Sequence, residues 1–260
     1  VRNGIHGEYR LREDPTAAIR STLAHTIKIV GKEGKVVAGK VGNTTTTLNP
    51  AAGEVDPVDG QVRRGGVNET FTTIRGGLGT AGLPLNTDSN VAILEATATA
   101  NQYADLQRGI YCFGTGTIPD GDTVTSAIFS IDGTGTPVTD LGNTMIKVVS
   151  ATPASQSTLA SGDYANLGTA EFGAGIDVSG WGGAYNDFTI ATTSNISKTA
   201  NTCFGTRLLW DVNNSFTGTW GNAFFTQATG SFADIAGTTV DPKLVVVHAA
   251  PAGGGGSGLK

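Results

Sequence analysis

Three histidines, two cysteines and a scatter of carboxylates are the residues of this 260-residue chain that could do chemistry. A hydroxyl nucleophile needs a base beside it, and the only histidines are His6, His25 and His248. The first two fall in a basic stretch at the start, the third ends the last apolar run, and no G-x-S-x-G elbow accompanies them. A catalytic triad is therefore not expected. The same dispersal argues against zinc, whose structural sites use clustered His and Cys ligands. Cys112 (IYCFG) and Cys203 (TCFGTR) both lie in strand-like segments. They read either as a disulfide or as two buried small hydrophobes.

Glycoside hydrolysis would need paired carboxylates. Asp120 and Asp122 stand two apart in a turn, while Asp163, Glu171 and Asp187 lie near Tyr164, Trp181 and Tyr185, which could line a groove. The favoured reading of these acids is structural: turn residues and solvated strand ends. Calcium takes clustered oxygen ligands, and its candidates are Asp211 and Asn213 with Asn214, or Asp120 with Asp122. No run has the EF-hand spacing, and no other cofactor is expected. Trp181, Tyr185 and Trp220 are the candidate sugar platform, because flat aromatic faces stack on sugars. Trp181 lies among Gly180, Gly182 and Gly183 and is expected to be exposed, whereas Trp210 in FGTRLLWD is expected in the core.

The elements that must position these residues are strands. Gly is abundant at 38 residues, charged residues make up 15%, and there is one Met. That composition disfavours long amphipathic helices and suits short strands between turns. The clearest stretch is RGIYCFGTGTIPDGDTVTSAIFSIDG. It predicts strands at Arg108–Phe113 and Val124–Ile131, joined as a central hairpin by a Gly/Pro/Asp loop. Side-chain alternation puts Thr125, Ala127, Phe129 and Ile131 on its core face. Further strands are expected at Val58–Arg63, Phe71–Arg75, Val91–Ala98, Met145–Ser150, Tyr185–Ala191, Cys203–Asp211, Ala223–Gln227 and Lys243–His248. Gly76–Asn90 reads as loop and Pro153–Leu167 as a partly helical connection. The fold class expected is all-β, a jelly-roll-like antiparallel sandwich with a small N-terminal helix and hairpin extension.

Charge divides the chain. Residues 1–42 carry net +4, through Arg10, Arg12, Arg20, Lys28, Lys32, Lys35, Lys40 and Arg2 against four acids, and the remaining 218 residues carry −9. Such a shift marks a boundary. It gives a basic attachment segment at 1–42, a sandwich domain at 43–250 and a Gly-rich flexible tail at 251–260. Within the first segment, Asp14-Pro15 can begin a helix running to Leu23 or Ala24, and HTIKIVGKEGKVVAGKV reads as a hairpin. The acidic main region makes nucleic acid a poor partner, and GGLGTAG lacks the Lys of a phosphate loop. No apolar run is long enough for a membrane-spanning helix. The sequence begins at Val1 with no visible secretion signal, which leaves export undecided.

Several pieces in order resemble a family of β-sandwich modules from phage and prophage tail or virion-surface proteins. They are LNPAAGEVDPVDGQVRR, RGIYCFGTGTIPDGDTVTSAIFSIDG, GDYANLGTAEFG, YNDFTI, ISKT, FGTRLLWDVNNSFTGTW and GTTVDPKLVVVHA, running from Leu48 to Ala249. The resemblance implies a carbohydrate-binding-module-like sandwich without enzymatic activity, displayed on a virion surface or otherwise outside the cell. Residues 1–42 lie outside it, and Cys112 stands where the family's strand has an apolar residue. The expected role is a structural protein of a virus particle: a tail, fibre or capsid-decorating subunit. The expected partners are other virion or filament subunits, with homo-oligomers among them, and surface glycans. An extracellular filament or pilus subunit assembled by strand donation, and a carbohydrate-binding module, are the alternatives.

Overall fold

Strands form here because β-branched and aromatic residues alternate with small polar ones, and Gly, Asn and Pro interrupt each run before a helix can propagate. The structure, a computed structural model, describes residues 42–233 and 237–251, with the strand pairs at 29–30 and 36–37. In chain order, β1 (Ile29–Val30) and β2 (Val36–Val37) pair antiparallel in a sheet of their own. The main region then runs β3 (Thr44–Leu48), β4 (Asp59–Glu69), α1 (Phe71–Gly76), β5 (Ala81–Pro84), β6 (Ser89–Ala96), β7 (Tyr103–Phe113) and β8 (Thr123–Thr139). It continues through β9 (Met145–Ala151), β10 (Leu167–Glu171), β11 (Ile176–Asp177), β12 (Tyr185–Thr189), β13 (Thr202–Leu208), α2 (Leu209–Asn213), β14 (Phe225–Gly230) and β15 (Lys243–Ala249). The protein is an all-β antiparallel sandwich. The expected helix at 14–24 and the Gly-rich tail at 252–260 lie outside the described residues.

One layer is β12–β8–β15–β3; the other is β10–β9–β13–β7–β6–β14–β8, with β4 and β5 beyond β7 and β11 beside β9. The long β8 serves both. Its first half pairs with β15 and β12, and its second, from Gly133 to Thr139, with β14. At the crossing, a Cβ on Gly133 would stand 1.9 Å from the Gly182 carbonyl oxygen, so only glycine lets the strand pass beneath that loop. The expected hairpin between the two strands around 108–131 does not form. β7 pairs with β4, β6 and β13, and the loop to β8 crosses from one layer to the other.

Phe129 shows how the layers are joined. It is fully buried and lies 5.1 Å from Tyr111, 5.6 Å from Phe113 and 5.3 Å from Phe204 between ring centroids, all in the facing layer, and 5.9 Å from Phe188 in its own. Ala127, Phe129 and Ile131 are buried as alternation requires, while Thr125, expected with them, is exposed near the strand's start.

Three local expectations are corrected. Phe71–Gly76 is helical rather than extended: Thr70 Oγ1 accepts from the Thr73 N–H, and Phe71 and Ile74 face inward three residues apart. The stretch 76–90 is not all loop, because Ala81–Pro84 adds to the edge of β4. The main region's first strand is the Thr run of β3, ahead of β4. Among the described residues no helix is long and apolar enough to cross a membrane.

Candidate functional site

β13 ends at Leu208, whose extended backbone (φ −64°, ψ 144°) turns directly into α2. The turn brings Asp211 back beneath Arg207, four residues earlier, until Asn214 in the left-handed region (φ 51°) stops it. Arg207 reaches the Asp211 carboxylate at 2.7 and 2.8 Å, and Arg108 of β7 reaches it with two more bonds of 2.8 Å. Arg75 of α1 stands 3.7 Å away and donates to the Asp211 carbonyl oxygen at 2.6 Å. The Arg108 guanidinium lies 3.8 Å above the Tyr164 ring, whose hydroxyl donates to Ile74 O. Burial alone would push the Asp211 carboxyl up, but Arg108 and Arg207 outweigh it and hold it at about 2.

This arrangement overturns Asp211 as a calcium ligand. Its carboxylate is buried and already bound by two bidentate guanidiniums. Asn213 is exposed at the rim of a separate cavity of about 310 Å³, beside Asn143 and Asp177. The other calcium candidate fails for a similar reason. The Lys198 ammonium occupies the place of a cation, donating to the carbonyl oxygens of Asp120 and of Asp122, the latter at 2.6 Å. Among the described residues no three His, Cys, Asp or Glu side chains group as metal ligands.

The Asp122 carboxylate has another partner. It accepts from His248 Nδ1 at 2.6 Å, and His248 Nε2 lies 2.9 Å from Thr46 Oγ1. In a neutral imidazole whose Nδ1 proton is directed at Asp122, Nε2 accepts the Thr46 hydroxyl. Acid, imidazole and hydroxyl stand in the order of a relay, a constellation that spacing alone gave no reason to expect. His248 is 3% exposed, and all three residues are tied into ladders or turns joining β3, β15 and the start of β8. The adjoining cavity of about 310 Å³ is lined by Asp122, Ser194 and Lys198, without His248 or Thr46.

The sugar platform does not assemble. Trp181 is 3% exposed, its indole N–H donating to Thr229 O at 2.7 Å and its ring packed on Phe188. Its neighbours Gly180, Gly182 and Gly183 are exposed with open space where a Cβ would stand, and the close approach is instead at Gly133, where a Cβ would lie 2.8 Å from the Trp181 indole nitrogen. Tyr185 is half-buried, its single O–H lies 3.0 Å from both Thr239 O and Asp241 O, which share the proton, and Lys243 Nζ covers its ring at 3.4 Å. Trp220 packs against the core and donates to Gln102 O. Trp181 and Trp220 lie toward opposite ends of β14. Trp210 is in the core, 4% exposed, with its indole on Thr217.

The carboxylate groove is not formed either. Asp163 is buried and accepts the N–H groups of Ala154 and Ala160, Glu171 pairs with Lys147 at 2.8 Å, and Asp187 is exposed on β12 in the other layer. Cys112 and Cys203 face each other across β7 and β13 and are joined by a disulfide. The attachment candidates Arg10, Arg12, Arg20, Lys28, Lys32, Lys35 and Lys40 lie outside the residues whose side chains are described.

No family model matches the chain, and no curated protein matches it.

Proposed function

We propose that the protein is a non-enzymatic structural subunit of a virus particle, a tail, fibre or capsid-decorating protein that presents its sandwich outward from the basic segment 1–42. The observation that carries this reading is how the segment joins the sandwich. The chain passes straight from it into β3, which is paired with β15 over all five of its residues, from Leu48↔Leu244 to Thr44↔His248. His248 pins the middle of that strand through Thr46 and the neighbouring turn through Asp122. A pull on the segment along β3 would load several ladder bonds together instead of opening them one at a time. The disulfide agrees with an oxidising exterior.

Deleting residues 1–42 tests the reading: the truncated sandwich should fold and lose incorporation into particles. Incorporation at the full-length level would sink it.

One observation favours a second reading, a filament built by strand donation. β3 is the end of its layer and has a ladder partner on one side only among the described residues, so its other edge can accept a strand from another copy. Purified protein that polymerises alone into filaments visible by electron microscopy would select this reading.

A further inference from the structure

The cluster at Asp211 holds more positive charge than one carboxylate balances. Arg75, Arg108 and Arg207 converge on it, leaving an excess of two unit charges. The nearby Arg64 adds none, because Glu69 pairs with it. Arg108 and Arg207 are each 3% exposed, so the excess lies below the surface, where water screens it weakly. Carbonyl oxygens of Tyr164, Arg75, Leu167, Gly168 and Asp211 accept further N–H groups of the two, but these are dipoles and leave the net charge in place. Burial, together with repulsion from Arg207 and Arg108, lowers the Arg75 proton affinity against the pull of Asp211.

A cavity of about 200 Å³ opens on the cluster, lined by all three arginines, Gly76, Gly77 and Thr169, with no acidic residue in its wall. Arg75 commits Nε to Asp211 O and Nη2 to Val212 O, which leaves Nη1 without an acceptor among the described residues. Thr169 is exposed on β10 and adds a hydroxyl. At Gly76 a Cβ would meet nothing within 4 Å, so the space beside it is open. We propose that this cavity binds an oxyanion, a phosphate or a carboxylate, which neutralises the excess charge of Arg75, Arg108 and Arg207. The inference is independent of the virion reading, because it rests on charge and space in the sandwich alone.

The test is thermal unfolding of the full chain titrated with sodium phosphate or sodium glucuronate against chloride at fixed ionic strength. Binding predicts a saturable rise in Tm of roughly 3–6 °C at tenfold over Kd. A larger rise with phosphate would assign a free phosphate or phosphoester, and a larger rise with glucuronate an acidic sugar. Arg75→Gln should abolish the rise. Thr169→Glu should also abolish it, while raising Tm in chloride by supplying a tethered carboxylate. No saturable rise with either salt would overturn the proposal. So would a rise of equal size in Thr169→Glu, since salt exclusion from the surface acts regardless of this cavity. If Arg75→Gln does not fold, Thr169→Glu decides alone.

Discussion

Arg108 and Asp211, 103 residues apart, meet through two parallel hydrogen bonds of 2.8 Å with both side chains almost wholly out of solvent. Arg207 binds the same carboxylate from its other side, so three elements, β7, β13 and α2, depend on one acid. Asp211→Asn removes the only negative charge in the cluster and leaves the guanidiniums repelling one another. Breaking a buried pair in this way costs about 3–5 kcal/mol. Urea denaturation should show a lower midpoint with an unchanged m-value, and a midpoint equal to that of the parent would contradict the account.

Two buried aspartates give opposite pH dependences. Asp211 is held at about 2, below its ordinary 3.8. Its contribution is therefore complete above pH 3.8 and is lost as pH falls toward 2, amounting to about 2 kcal/mol. Asp59 is raised well above 3.8 by burial, with the Ala233 N–H opposing and Asp241 adding to the rise, and its Oδ1 has no hydrogen-bond partner among the described residues. The unfolded chain loses this proton first as pH rises through 3.8, so Asp59 lowers stability from there upward until its own folded value is passed. Asp59→Asn should stabilise the protein at pH 7, with the gain shrinking toward zero below pH 3.8. Unfolding midpoints of both proteins across that range check the sign.

The disulfide closes a loop of 91 residues between two strands already paired in register. Replacing both cysteines in Cys112→Ala/Cys203→Ala should cost roughly 2–4 kcal/mol, chiefly by freeing the unfolded chain. The sandwich should still form, since the ladder between β7 and β13 has four other pairs. Calorimetry with and without reductant, and far-ultraviolet circular dichroism of the double variant, would separate loss of stability from loss of fold.

Trp181→Ala should behave as a core mutation. The side chain packs on Phe188 and its indole N–H serves the Thr229 carbonyl, so truncation should cost about 3–5 kcal/mol. A variant with unchanged Tm but altered glycan-array binding would return Trp181 to the surface.

How far the sequence reaches can be judged from particular residues. Alternation put Ala127, Phe129 and Ile131 inside, the run FGTRLLWD put Trp210 in the core, and Gly, Thr and scarce charge set the all-β class. These are local properties: a strand turns its side chains in and out with a period of two whatever it pairs with. Local reasoning failed at Phe71–Gly76, where the cap from Thr70 outweighed the β propensity of a Phe-Thr-Thr-Ile run. The Arg207–Asp211 spacing of four was a legible hint of a pair, yet nothing local supplied Arg108 or Arg75. Likewise His248 finds Asp122 across 126 residues and Thr46 across 202. By itself, then, the sequence determined class, strand faces and the charge boundary after residue 42. Tertiary structure decided that β7 and β8 join different neighbours, that Trp181 is buried, and that Asp211 binds arginine and not a metal. The physical reason is that a carboxylate's charge and an aromatic's burial are set by whichever groups the fold brings alongside, and here Arg108 reaches Asp211 across 103 residues and the Thr229 carbonyl reaches Trp181 across 48.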